Sequence, residues 1–198
     1  MNMGLSYNKP TSKVHVRKTR LQSSSVSGLA FGSEMSGGMS DELAEHLHVY
    51  DSVNGIDLKT AKGRGAYIKD IFLSDVYMEN VQRGIKATSQ FTNHPDDKYD
   101  PNALPVIAAI SFSGIVVINI TTAGVFSGID KSPFTSICLS NVSLTASYDP
   151  SSSWMCAYVE GSSVNVLPDP CPELQVSWSS PSSDCFFLLN SNCQVAAL

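Results

Sequence analysis

One short template, apolar-x-apolar-x-x-apolar-x-apolar, recurs five times along this 198-residue chain. It reads VHVRKTRL from Val14, ELAEHLHV from Glu42, IFLSDVYM from Ile71, ISFSGIVV from Ile110 and ICLSNVSL from Ile137. The starts lie 28, 29, 39 and 27 residues apart (42−14, 71−42, 110−71, 137−110). Residues two apart in a strand share a face, so the two-residue interruption resets the alternation and marks a corner. Thirteen or fourteen residues into each of the first four repeats, a glycine opens a further short strand: GLAFGS at Gly28, GIDLKT at Gly55, GIKATS at Gly84 and GVFSGI at Gly124. Three short strands in each turn of just under thirty residues describe a solenoid whose neighbours bury a shared interior and pair in parallel. The expected fold class is all-β, a parallel β-helix. Short strands alone leave an antiparallel sandwich as the alternative.

Three departures from the repeat are informative. The long third interval holds FTNHPDDKYDPNALP, a cluster of turn-forming residues expected to project as a loop. Glu42 occupies an apolar slot of the template. A buried unpaired carboxylate is costly, so a bulge or shift is expected there. The template stops after Ser147, predicting coils over 1–148 and a Ser/Pro/Cys-rich tail over 149–198. That tail is expected to pack on the last coil as part of the same domain, protecting the open sheet edge.

Composition narrows the function classes. The net charge of −5 and the absence of a basic patch argue against nucleic acid or an anionic membrane as partner. Runs such as GIVVINI fall far short of membrane-spanning length. The opening MNMGLSYNKPTSK has no apolar core of a secretory signal. Yet Cys156, Cys171, Cys185 and Cys193 crowd into the tail, where bridges are one of the few ways to pin so little apolar material. The Cys156/Cys171 spacing suits one disulfide and Cys185/Cys193 a second, leaving Cys138 as a buried thiol. The sequons at Asn119 and Asn141 are candidate glycosylation sites and point the same way, to secretion.

Three stretches carry a family resemblance when taken in order: GLAFGSEMSGGMSD (28–41), GIDLKTAKGRGAYIKDI (55–71) and HPDDKYDPNALPV (94–106). Together they resemble the plant-type polygalacturonases of glycoside hydrolase family 28, and the likeness runs from about Gly4 to Cys185. The resemblance implies a right-handed parallel β-helix, in agreement with the repeat. It also implies hydrolysis of α-1,4-galacturonosyl bonds in pectin, outside the cell at the cell wall, with inversion. That chemistry uses one carboxyl as acid and others to activate water. In the family these aspartates belong to an Asn-Thr-Asp and an Asp-Asp motif upstream of the segment matched here. Neither motif is found in this sequence, so the expectation is an N-terminally truncated member without catalytic residues, inactive alone. The alternatives are a non-catalytic pectin-binding remnant and a non-functional truncated product.

The resemblance also nominates binding residues. The family grips a substrate carboxylate with an Arg-x-Lys pair, which here reads Asp57-Leu58-Lys59. It keeps the lysine and replaces a bidentate guanidinium with an acid that repels a carboxylate or ties up Lys59. Ser27 stands where many members have a histidine. Arg64, in the following KGRG turn, is a candidate for added positive potential, and Glu34 for a rim carboxylate meeting sugar hydroxyls. The loop residues His94, Asp96, Asp97 and Asp100 lack the EF-hand pattern and read as a cleft wall rather than a metal site. His15, His46 and His48 fall at outward or corner positions, as exposed or hydrogen-bonded structural histidines. No cofactor and no metal is expected. The implied partner is anionic pectin or polygalacturonate, and the chain is expected to be a monomer.

Overall fold

At each corner the strand alternation is reset by a single residue in the left-handed region. Lys18, His46, Asp75, Gly114 and Asn141 form one such column, with φ between 50° and 61°. Two further columns flank it: Lys13, Asp41, Asp70, Ala109 and Ser136 on one side, Asp51, Asn80 and Asn119 on the other. Asp, Asn and Gly enter this region most easily, which is why they recur where the template switches face. In the computed structural model, which describes residues 8–33, 35–91, 100–146, 154–177 and Cys185, these corners divide long bent strands into short straight segments.

The strands are β1 (Thr11–Ser12), β2 (His15–Gln22), β3 (Ser27–Gly32), β4 (Gly38–Lys59), β5 (Tyr67–Thr88), β6 (Val106–Ser127), β7 (Phe134–Ala146), β8 (Trp154–Ala157), β9 (Val159–Leu167) and β10 (Val176–Ser177). Every pairing between them is parallel, and the main path runs β1-β4-β5-β6-β7-β9-β10. β2 and β3 lie on β4, and β8 lies on β6. The expected parallel β-helix is borne out. Among the described residues no helix is long and apolar enough to cross a membrane.

Register follows the template. Ile71, Ile110 and Ile137 stack in one row, and Leu47, Val76, Ile115 and Val142 in another. All are fully or almost fully buried in a single core. Leu73 and Phe112 fill the interior between such rows, and Phe112 meets Phe126 edge to face. The glycines that open the third strand lie where the backbone comes close to that core. A Cβ on Gly55 would stand 2.2 Å from Met78 Sδ and 2.7 Å from the Gly84 carbonyl oxygen.

Three expectations are corrected. Glu42 is not bulged out: it pairs in register with Ile71 and is 4% exposed. Its Oε2 accepts a hydrogen bond from the Val14 N–H (3.1 Å), which offsets part of the cost of burial. The other oxygen, Oε1, is buried with no hydrogen-bond partner among the described residues. The coils do not end at 148. β8 pairs with β6 and β9 with β7, so residues 154–167 continue the solenoid, with Trp154 stacked on Phe126. Finally, Cys138 is no free thiol. It lies between the inward-facing Ile137 and Leu139 and so faces out of the core, where Cys185 bonds to it (Cα–Cα 5.5 Å). Cys156 bonds to Cys171, and Cys193 lies outside the described residues.

Candidate functional site: a cationic face on the third sheet

The segments following each opening glycine stack as one sheet, built from residues 27–32, 54–59, 83–88, 122–127 and 154–157. Ile56 and Leu58 point into the core and are fully buried, so the residues alternating with them, Asp57 and Lys59, face outward. Three ladders run across this outer face. One is Ser27–Asn54–Arg83–Thr122, the next Ala30–Asp57–Lys86–Val125–Met155, and the third Gly32–Lys59–Thr88–Ser127–Ala157.

Asp57 and Lys59 share the face but do not pair. The Asp57 side chain is 2% exposed and its Oδ2 gathers the partners. Ser27 Oγ donates to it at 2.8 Å, Asn54 Nδ2 at 3.3 Å, and the Lys86 ammonium of the next coil lies at 3.5 Å. Asn54 Nδ2 also reaches Ser27 Oγ, and Arg83 donates to Asn54 Oδ1 at 2.9 Å. Asp57 Oδ1 is buried without a hydrogen-bond partner among the described residues. Lys59 thus keeps its ammonium out of any ion pair among those residues, over the ring of Phe91 at 5.5 Å.

Arg64 lies differently from its sequence-based expectation. It is 1% exposed, donates to the Ser33 carbonyl at 2.5 Å, and sets its guanidinium 5.0 Å from the Phe91 centroid. Its role there is to tie the turn after β4 to the Gly32–Ser33 segment and to Phe91, on which Lys59 also rests. Phe91 is itself held by a hydrogen bond from its N–H to the Thr60 carbonyl (3.0 Å). Glu34, His94, Asp96 and Asp97 lie outside the described residues. Asp100 accepts hydrogen bonds from the N–H groups of Asn102 and Ala103, a local turn.

The remaining candidates sit away from this face. His15, His46 and His48 each hydrogen-bond a carboxylate one coil on: Glu45, Asp75 and Glu79. These are structural ties across the coils. Asn119 and Asn141 occupy left-handed corners, Asn119 donating to Asn80 Oδ1 and Asn141 accepting from Asn165. A group of possible metal ligands, Cys156, Cys171 and Glu173, is disqualified because both sulfurs are bonded to each other. Sequence reasoning missed Arg83, Lys86 and Phe91. The signal for the two cations was present: Arg83-Gly84-Ile85-Lys86 repeats the pattern of Asn54-Gly55-Ile56-Asp57 one coil later.

A model of the glycosyl hydrolases family 28 matches residues 6–166. The chain belongs to this family. It is 37% identical over 185 residues to a probable polygalacturonase of Vitis vinifera, an alignment covering 93% of this chain and 38% of that protein. The crystal structure of a hyperthermoactive exopolygalacturonase from Thermotoga maritima shares the fold, with a TM-score of 0.69 and 23% identity over 79% of this chain and 34% of that one. The chain therefore spans little more than a third of the length of the relatives it matches.

Proposed function

We propose that this family 28 chain recognises the anionic backbone of pectin along the outer face of its third sheet. Hydrolysis of the galacturonosyl bond, the family's reaction, depends on aspartates that this sequence does not contain. The observation that carries the reading is Lys59, an outward ammonium on the outer face of the third sheet, free of ion pairs among the described residues and backed by Phe91. A lysine with spare donors is a point charge suited to a sugar carboxylate. Arg64, buried beneath, keeps the platform in place rather than touching polymer, and Asp57 holds the surrounding network. The polymer is met outside the cell, by a monomer with no cofactor or metal.

The test is to titrate the purified chain with polygalacturonate while following reducing ends. The chain binds in a salt-sensitive manner and releases no product, and Lys59→Ala weakens binding about 10- to 100-fold, as expected for a hydrogen bond to a charged group of roughly 1.5–3 kcal/mol. Family-like hydrolysis by this chain alone would contradict the account. So would the absence of any binding.

A further inference from the structure

We propose that Lys86 and Arg83 form a second carboxylate grip on the same face, one coil beyond Lys59, so that the polymer is held across two coils. This rests on the reading that the third sheet binds anionic pectin, and adds residues that the family motif does not nominate. Lys86 carries three N–H donors, and its one polar partner among the described residues is Asp57, in the 3.5 Å ion pair. Arg83 carries five and uses one, toward Asn54 Oδ1. Neither needs to give up its partner to donate to a further oxygen.

The charge distribution supports the same assignment. The whole chain has a net charge of −5, yet the three ladders of this face hold Lys59, Arg83 and Lys86 against one carboxylate, Asp57. That carboxylate is the buried member of its pair, 2% exposed against 28% for the Lys86 side chain. The acid therefore anchors Lys86 from below while solvent above the face meets cations. Local potential of one sign on an otherwise acidic protein favours a ligand of the opposite sign. Strands stacked about 4.8 Å apart, with like-facing residues about 6.6 Å apart along each, put the Lys59 and Lys86 backbones about 8 Å from one another. A polymer with a carboxylate on every sugar can engage both.

The next coil closes the binding face. The corresponding positions there are Thr122, Val125 and Ser127, which offer no charge. The grip is thus confined to two coils, with Lys59 in one and Arg83 and Lys86 in the other. The Asp-for-Arg exchange at position 57 then reads as a relocation: the second cation sits one coil further on, tethered by the acid that replaced the first.

The experiment measures binding of oligogalacturonate and of fully methyl-esterified oligomers to the full chain at two salt concentrations. Lys86→Gln leaves Asp57 buried without its cation, so the double variant Asp57→Asn/Lys86→Gln and the separate variant Arg83→Gln accompany it. Arg83→Gln and the double variant are each expected to bind oligogalacturonate about tenfold more weakly with a shallower salt dependence, with the esterified ligand unaffected and Lys86→Arg retaining affinity. Unchanged binding by Arg83→Gln and the double variant, with Lys59→Gln still impaired, overturns this inference and leaves the proposed function standing. No binding by the unmodified chain overturns both.

Discussion

At the scale of single residues, the decisive side chain is that of Asp57. An outward arginine would have offered a bidentate fork; the aspartate instead turns the neighbourhood into a hydrogen-bonded patch of Ser27, Asn54, Arg83 and Lys86. Glu42 is the other residue whose chemistry departs from its slot. Burial pushes its carboxyl above the usual carboxylate range, with Asp41 adding to the rise and the Val14 hydrogen bond opposing it. A carboxyl whose folded pKa is raised binds its proton more tightly when folded, so stability falls as pH climbs from the unfolded value through the folded one. Glu42→Gln is therefore expected to flatten the pH dependence of the melting temperature as pH rises above the ordinary carboxylate range, and to raise stability at neutral pH. An unchanged slope of melting temperature against pH would contradict this assignment. Much of this scale was beyond the sequence. Lys59 and Asp57 could be placed on one face by counting, but their separation could not, because Asp57's partner comes from 29 residues away on the next coil.

At the scale of elements, the template gave the rows correctly because period-two alternation and a left-handed corner leave few ways to arrange the chain. Val76 and Ile115 fall where the pattern puts them, and Asp75, Gly114 and Asn141 are residue types that suit the corner. The coil formed by β8 and β9 was illegible for the opposite reason: VEGSSVNVL lacks the paired apolar slots, and its burial comes largely from Trp154, Val159 and neighbouring coils. The pairing of Cys138 was hidden too, since an apolar neighbourhood masks an outward position. Two predictions belong here. Gly55→Ala places a methyl against Met78 and the Gly84 carbonyl, and is expected to cost about 1–3 kcal/mol by overpacking, read from urea denaturation. Cys185→Ser opens a cross-link spanning 47 residues and is expected to cost ~4 kcal/mol on the chain-entropy relation. A shift of the urea midpoint close to zero would count against a structural role for that disulfide.

At the scale of the molecule, parallel stacking converts a repeat in sequence into a surface that lies along the solenoid axis. Residues 27–29 positions apart become neighbours, which is how a chain of net negative charge presents a local strip of cations. The central claim is that this strip, and no other face, meets the anionic polymer. The competing surface is the outer face of the sheet segments around residues 47–50 and 76–79, where Tyr50, His48 and Tyr77 form an aromatic row. Mapping amide chemical-shift changes by NMR as oligogalacturonate is added separates the two directly. The account predicts saturable shifts centred on Lys59, Arg83 and Lys86, fading by Val125. Shifts centred on Tyr50 and Tyr77, or none at saturating ligand, would contradict it.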